Sequence, residues 1–215
     1  MKLLSVNVGL PREVTWRGRT VTTGIFKKPV EGSVMLRTLN LDGDKQADLS
    51  VHGGVSKAVY AYPAEHYELW RKELPGMKLP YGMFGENFTT EGLLEVTTNI
   101  GDRFRIGDAV VMVTEPRMPC YKLGLKFRRT DISKRLLASR RTGLYFAVIQ
   151  EGEVETGDAI ELLSQDENGV SVADITRLYA FDKLDLKMLR RALRVGALPE
   201  SWRGHFRHQI ERLGD

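Results

Sequence analysis

"GDRFRIGDAVVMVTEPRMPCYKL", residues 101–123, decides how this chain reads. Two Gly-Asp pairs, at 101–102 and 107–108, bracket a short strand-like piece. The second pair leads into "AVVMVT" (109–114), a continuous apolar run rich in valine. Glycine supplies positive φ and aspartate caps its own backbone, so each pair marks a turn. A short, β-branched apolar run between turn signals predicts a strand. The pattern spreads outward. Gly-Asp recurs at 43–44 and 157–158, each time beside a strand-like segment. "LLSVNV" (3–8) and "AIELL" (159–163) alternate, and "LYFAVI" (144–149) is a second continuous run. Many short strands punctuated this way, over residues 1–165, predict an antiparallel barrel or sandwich. No repeat is regular enough for a propeller or solenoid.

Two helices are expected within this β region. "PAEHYELWRKEL" (63–74) opens on Pro63 and places Tyr67, Trp70 and Leu74 on one stripe, with Glu68 and Lys72 as an i, i+4 pair. "TDISKRLLASRRTG" (130–143) has Thr130 as a candidate N-cap and Gly143 as its stop. The texture changes near residue 166. "SQDENG" reads as a linker, and the remainder, 166–215, is predicted as three short helices. "SVAD" (171–174) carries a capping-box pattern. A second helix is expected over about 184–194. A third is expected over about 199–213, with Trp202, Phe206, Ile210 and Leu213 on one stripe. Such short helices form a small bundle rather than standing alone.

Composition bounds the rest. The chain of 215 residues is 42% hydrophobic and 28% charged, which describes one domain, or one domain with an appendage, and a substantial core. Its one cysteine excludes an intrachain disulfide and a cysteine-rich zinc site. The apolar start "MKLLSVNVGLPREV" is interrupted by Ser5, Asn7 and Gly9, too soon for a signal-peptide core, and no window is long enough for a transmembrane helix. A cytoplasmic protein without membrane association is expected. The net charge of +4 is unevenly placed, since residues 126–141 carry seven Lys/Arg against one Asp. A basic run attracts nucleic acid or a phosphorylated small molecule, or is simply a solvated face. No helix-turn-helix or RNP signature supports specific nucleic-acid binding.

The chemistry-bearing residues are few. There is no HExxH pair, GxSxG elbow, Walker A loop or GxGxxG fingerprint. His66, His205 and His208 fall on predicted helices as surface or packing residues. His52 differs because Gly53 and Gly54 follow it and Lys57 comes soon after. Paired glycines can turn backbone amides toward an anion, and a lysine adds a point charge for a phosphate. "YGMFGENFTTEGL" (81–93) is a second glycine-rich piece, with Phe84 and Phe88 as core anchors. Cys120 stands on a segment stiffened by Pro116 and Pro119, between Arg117 and Lys122. It is either an inert buried thiol or a thiolate, favoured by those two cations, that binds or attacks something.

Taken together, "DGDKQADLSVHGGVSKAVYAYPAEHY" (42–67), "FGENFTTEGL" (84–93), residues 101–123 and "TGLYFAVIQEGEVETGDAIEL" (142–162) resemble successive motifs of the MOSC-domain family. That family is named for the C-terminal domain of molybdenum cofactor sulfurase. The tail resembles the three-helix appendage of its YiiM-like branch, and "TTGIFKKPV" (22–30) matches another motif of that branch. The resemblance implies a mostly β, MOSC-type β-barrel over 1–165 and a C-terminal three-helix domain over 166–215. It implies binding of the molybdenum cofactor (molybdopterin), with Cys120 as molybdenum ligand. Gly53, Gly54, Lys57 and Asn87 fall in the cofactor pocket by the same resemblance. Arg117, Lys57 and Lys27 would neutralise the phosphorylated pterin, Thr23 would contact it, and His52 would deliver a proton. The implied activity is two-electron reduction of N-hydroxylated compounds, N–OH to N–H with release of water, 6-N-hydroxylaminopurine being an example. With one cysteine and no flavin or haem signature, electrons would come from a separate reductase. The basic, aromatic tail would dock that partner, mediate a homodimer, or simply pack on the barrel. The alternative is a sulfur carrier holding a persulfide on Cys120.

Overall fold

The computed structural model describes residues 1–47 and 53–214. Its centre is an eight-stranded sheet built from β1 (Lys2–Val8), β4 (Lys28–Pro29), β6 (Val59–Pro63), β7 (Phe88–Glu91), β8 (Arg103–Ile106), β9 (Ala109–Pro116), β10 (Leu144–Gln150) and β12 (Ile160–Ser164). The order is β12-β8-β9-β10-β6-β7-β1-β4. Only β6 and β7 run parallel, and that pairing needs a crossover, supplied by helix α1 (Glu65–Glu73) and the loop after it. Two small sheets stand apart: the hairpin β2 (Arg12–Trp16) with β3 (Arg19–Thr23), and β5 (Val34–Leu36) with β11 (Gly152–Val154).

The reading of residues 101–123 holds at its centre. Arg103–Ile106 pairs with Ala109–Met112 as an antiparallel hairpin about Gly107-Asp108, and β9 lies between β8 and β10. Its valines are buried, and Val111 and Val113 share one core with Val172, Ile175 and Leu178 of α4 (Val172–Ala180).

Two expectations are corrected, one of them in part. The strand ladder does not close into a barrel: it begins at β12 and ends at β4. Between its flanks, Leu3 N–H donates to Asp158 C=O (2.9 Å) and Gly157 N–H to Leu3 C=O (2.8 Å), so the sheet curls until β1 touches the entry to β12 without completing a ladder. The mostly-β reading fits in part: the fold is dominated by its sheets but rich in helix. Among the described residues six α-helices, with α2 (Tyr121–Phe127), α3 (Ile132–Ser139), α5 (Leu186–Leu193) and α6 (Glu200–Arg212) added to α1 and α4, hold almost as many residues as the strands. Helix α2 is absent from the sequence reading. Pro63 belongs to β6 rather than to the first helical turn, and α3 is capped at Asp131 rather than Thr130.

The tail matches its patterning. Ser171 and Asp174 form the reciprocal capping box of α4, and Trp202 and Phe206 of α6 are buried. They join one continuous apolar cluster that runs from Leu3, Val6 and Phe104 of the sheet to Leu189 and Phe206 of the helices. A second, aromatic cluster contains Tyr62, Tyr67, Trp70, Phe84, Leu123 and Phe127. Strand β6 separates the two. Because successive strand side chains point to opposite faces, Val59 and Ala61 enter the first core while Tyr60 and Tyr62 enter the second.

Candidate active site

Beyond the end of β9 the chain stays extended through Arg117, whose N–H donates to Gly143 C=O (3.2 Å), and reaches Cys120 as N-cap of α2. The Cys120 carbonyl accepts from Leu123 N–H (3.1 Å) and Ser133 Oγ (2.7 Å), while Leu123 and Phe127 plug α2 into the aromatic core. The half-buried thiol is thereby held at the wall of a cleft whose enclosed part is about 100 Å³. Thr23, Lys27, Lys57, Asn87 and Arg117, all expected in the site, line this cleft with Cys120. Gly53 and Gly54 do not; they precede the 3-10 turn Val55–Lys57 that carries Lys57. His52 lies outside the described residues.

Two expected cofactor contacts prove to be engaged within the protein. Lys27 Nζ lies 2.5 Å from both oxygens of Asp44, and burial pushes its pKa down while Asp44 pulls it back up. Asn87 donates to Asp44 Oδ2 (2.9 Å) and Asn7 C=O (3.2 Å) and accepts from Tyr60 N–H (3.2 Å). Gly9 N–H completes the ring on Asp44 Oδ1 at 2.9 Å. Lys27 and Asn87 therefore build the wall more than they offer it to a ligand. Gly24 permits this closure, since a Cβ there would stand 2.6 Å from Lys45 C=O.

Arg117 carries an unsatisfied cationic donor at the cleft. It is 5% exposed, its guanidinium lies 5.3 Å from the Tyr60 ring centre, and its Nη1 is buried with no hydrogen-bond partner among the described residues. Burial opposes its charge, but Tyr60, Tyr145 and Cys120 around it prevail and hold it protonated. An unsatisfied buried donor costs about 1–3 kcal/mol, more when charged, so a ligand oxygen here would relieve a standing penalty. Burial also pushes the Tyr145 hydroxyl up to about 12, leaving it a donor at neutral pH. Lys45 and Lys122 add charge to the wall; Lys45, Tyr60 and Tyr145 escaped the sequence reading.

Beneath the cleft, Glu86 accepts from Gly82 N–H (2.7 Å), Phe84 N–H (3.0 Å), Thr89 Oγ1 (3.0 Å) and Tyr67 Oη. Nearby Lys126 is lowered to about 7, chiefly by burial, and donates to Ile25 C=O at 2.8 Å and to Gly82 C=O. The basic run is engaged in part: Lys126 is half-buried, Arg129 pairs with Asp131 (2.8 Å), Arg135 with Glu73 (2.6 Å), and Arg140 stacks over Phe181, while Arg128, Lys134 and Arg141 are exposed.

Among the described residues no group of three or more His, Cys, Asp or Glu side chains could hold a metal ion. The donor set is a single thiol in a cationic wall. That suits a soft metal arriving already held by an anionic organic ligand and taking one thiolate from the protein. No described helix is long and apolar enough to cross a membrane.

Comparisons with known proteins give the family. Residues 48–161 match the MOSC domain family, whose members are associated with molybdenum cofactor binding, and residues 170–213 match the YiiM-like, 3-alpha helix domain. YflK of Bacillus subtilis (strain 168) is 44% identical over 211 residues, covering 98% of this chain and 95% of that protein. A protein of Gibberella moniliformis (strain M3125 / FGSC 7600) named Reductase is 33% identical over 190 residues, which is 87% of this chain and 34% of the longer relative. The crystal structure of YiiM from Geobacillus stearothermophilus superposes with a TM-score of 0.81 at 32% identity, covering 97% of this chain and 98% of that one. The chain belongs to the MOSC-domain family and carries the three-helix segment of its YiiM-like members.

Proposed function

We propose that this protein is a molybdenum-cofactor-dependent reductase of N-hydroxylated compounds, with the Cys120 thiolate as the protein's ligand to molybdenum. The observation that carries the reading is the pairing, in one cleft, of a soft thiol with the buried Nη1 of Arg117, unpartnered among the described residues. A relative named Reductase supports the reaction type.

When bound, the cofactor supplies the two electrons, and a separate electron-carrying reductase restores them. The overall change is R–NH–OH plus two electrons and two protons to R–NH2 plus water. This chain's residues hold and orient. Cys120 gives its sulfur to the metal, and Arg117 with Lys45, Lys57 and Lys122 binds the phosphorylated end of the pterin. Tyr145 keeps its proton and donates a hydrogen bond into the cleft. His52, placed in the pocket by the family resemblance, would deliver a proton to the departing oxygen, since an unperturbed imidazole titrates at about 6.5.

The test compares molybdenum and pterin content of the wild type and Cys120→Ser, both made in a cofactor-producing host, with reduction of 6-N-hydroxylaminopurine as the activity. Stoichiometric molybdenum in the wild type and its loss with activity in Cys120→Ser is expected. Full retention of metal and activity by Cys120→Ser overturns the scheme. A persulfide on Cys120 without metal would replace it with the sulfur-carrier reading.

A further inference from the structure

Cys120, Lys57 and Tyr145 face a second cleft as well as the first. This one is larger, about 380 Å³, and lies between the Pro116–Cys120 segment and the C-terminal helices. One wall is flat and apolar, made by Pro116, Met118 and Pro119. The opposite wall is aromatic. Tyr179 of α4 meets Trp202 of α6 edge-on with ring centres 5.2 Å apart, and His205 lies 5.2 Å from the same tyrosine. Tyr179 remains 38% exposed although it stands among other rings, so part of its surface is presented to the cleft rather than consumed by packing.

Glu115 anchors this wall. Its Oε2 accepts from Trp202 Nε1 (2.7 Å), its Oε1 from Ser56 Oγ (3.2 Å), and Lys57 Nζ lies 3.7 Å away. The bond ties α6 to the last turn of β9, directly before the cysteine segment, and so fixes the width of the slot. Burial raises the Glu115 carboxyl above its ordinary range, and the Trp202 and Ser56 hydrogen bonds with the Lys57 charge work against that rise.

We infer that this slot is the subsite for the flat heteroaromatic ring of the N-hydroxylated substrate, with Tyr179, Trp202 and His205 as its stacking wall and Glu115 as the residue that positions Trp202. The inference rests on the reductase reading and adds to it the residues that hold the ring and a task for the C-terminal helices. Three features favour a flat ring. The volume falls within the roughly 300–1,000 Å³ of small-molecule sites. A slot between prolines and aromatic rings selects a thin π-face, because stacking rewards planarity over bulk. The shared wall at Cys120 brings a substituent on the ring edge beside the thiol, where the N–OH group has to arrive.

Two substrates and two readouts test this. The substrates are 6-N-hydroxylaminopurine, which has a ring, and N-methylhydroxylamine, which has none; the second readout is calorimetric binding of adenine to the cofactor-free protein. Tyr179→Ala and His205→Ala, both at solvent-reached positions, are expected to raise KM for the purine at least about fivefold and leave kcat within about twofold. They should weaken adenine binding by a similar factor and leave N-methylhydroxylamine kinetics unchanged. Tyr179→Phe keeps the ring and should restore binding, separating stacking from a folding defect. Unchanged KM for the purine and unchanged adenine binding in both alanine variants overturn the subsite. If the loaded wild type reduces neither substrate, the reductase reading fails; ring-dependent adenine binding to the cofactor-free chain would still support the slot.

Discussion

Removing the Asp44 carboxylate tests the wall of the first cleft. Its side chain is only 2% exposed and accepts from Lys27 Nζ, Gly9 N–H and Asn87 Nδ2. In Asp44→Ala the Lys27 ammonium, 9% exposed, loses its counter-charge, a change that costs about 3–5 kcal/mol when a buried pair is broken from one side. Two further donors lose their acceptor, at about 1–3 kcal/mol each if nothing replaces it. The terms do not add, because water enters the vacated space and Lys27, already lowered by burial, can shed its proton. A loss of about 4 kcal/mol is expected. At about 2–4 °C per kcal/mol for a chain of this size, Tm should fall by roughly 8–16 °C. Urea denaturation followed by circular dichroism measures the first number and calorimetry the second. The double variant Asp44→Ala/Lys27→Met removes the stranded charge and should regain about half of the loss. A single variant that loses under about 1 kcal/mol, or a double variant no more stable than the single, refutes the reasoning.

Two further outcomes follow from the same coordinates. Burial brings Lys126 from an ordinary 10.5 to about 7, so between those values the unfolded chain binds a proton that the folded chain does not, and stability rises with pH across that window. Lys126→Met should remove that rise, so the stability difference, wild type minus variant, climbs from pH 7 to 10 by up to about 1.4 kcal/mol per unit; parallel curves in chemical denaturation would sink the assignment. Gly143 has φ +74 and a Cβ there would stand 2.4 Å from Ala61 C=O, so Gly143→Ala should destabilise by about 3 kcal/mol; a loss below about 1 kcal/mol would show that the β6–β10 junction yields.

The strands were legible where burial is written into consecutive residues. "AVVMVT" and "LYFAVI" are continuous because β9 and β10 are central strands, and the capping box at 171–174 is a local device that needs no tertiary help. Helix α2 was not legible. Its seven residues include Gly124 and follow two prolines, which read as loop. The helix exists because Leu123 and Phe127 find the aromatic core, and the glycine is there because a Cβ would meet Arg129 C=O at 2.7 Å. The open ladder was hidden for a related reason: alternation tells which face of a strand is buried and nothing about whether the first strand reaches the last.

The candidate site divides along the same line. Cys120 and Arg117 are visible as a thiol and a cation on a proline-stiffened segment, and the family motifs bring Lys57, Thr23 and Asn87 near them. The engagement of Lys27 and Asn87 by Asp44 is invisible, because it depends on residues 7, 9, 27, 44 and 87 meeting in space. The second cleft was equally hidden. The stripe of Trp202 and Phe206 announces a packed helix, and only the fold reveals that Trp202 also reaches Glu115.

Strand β6, which divides the two cores, carries a consequence for how the chain can vary. Neighbouring residues on it belong to different packing problems: Val59 and Ala61 answer to the sheet and C-terminal helices, Tyr60 and Tyr62 to the aromatic floor of the site. Sequence drift at odd-numbered positions is therefore coupled to partners as distant as α5 and α6, and drift at even-numbered positions to α1 and α2. Two histories of compensation are interleaved along five residues, and a lineage can remodel the chamber under the cysteine while leaving the larger core untouched.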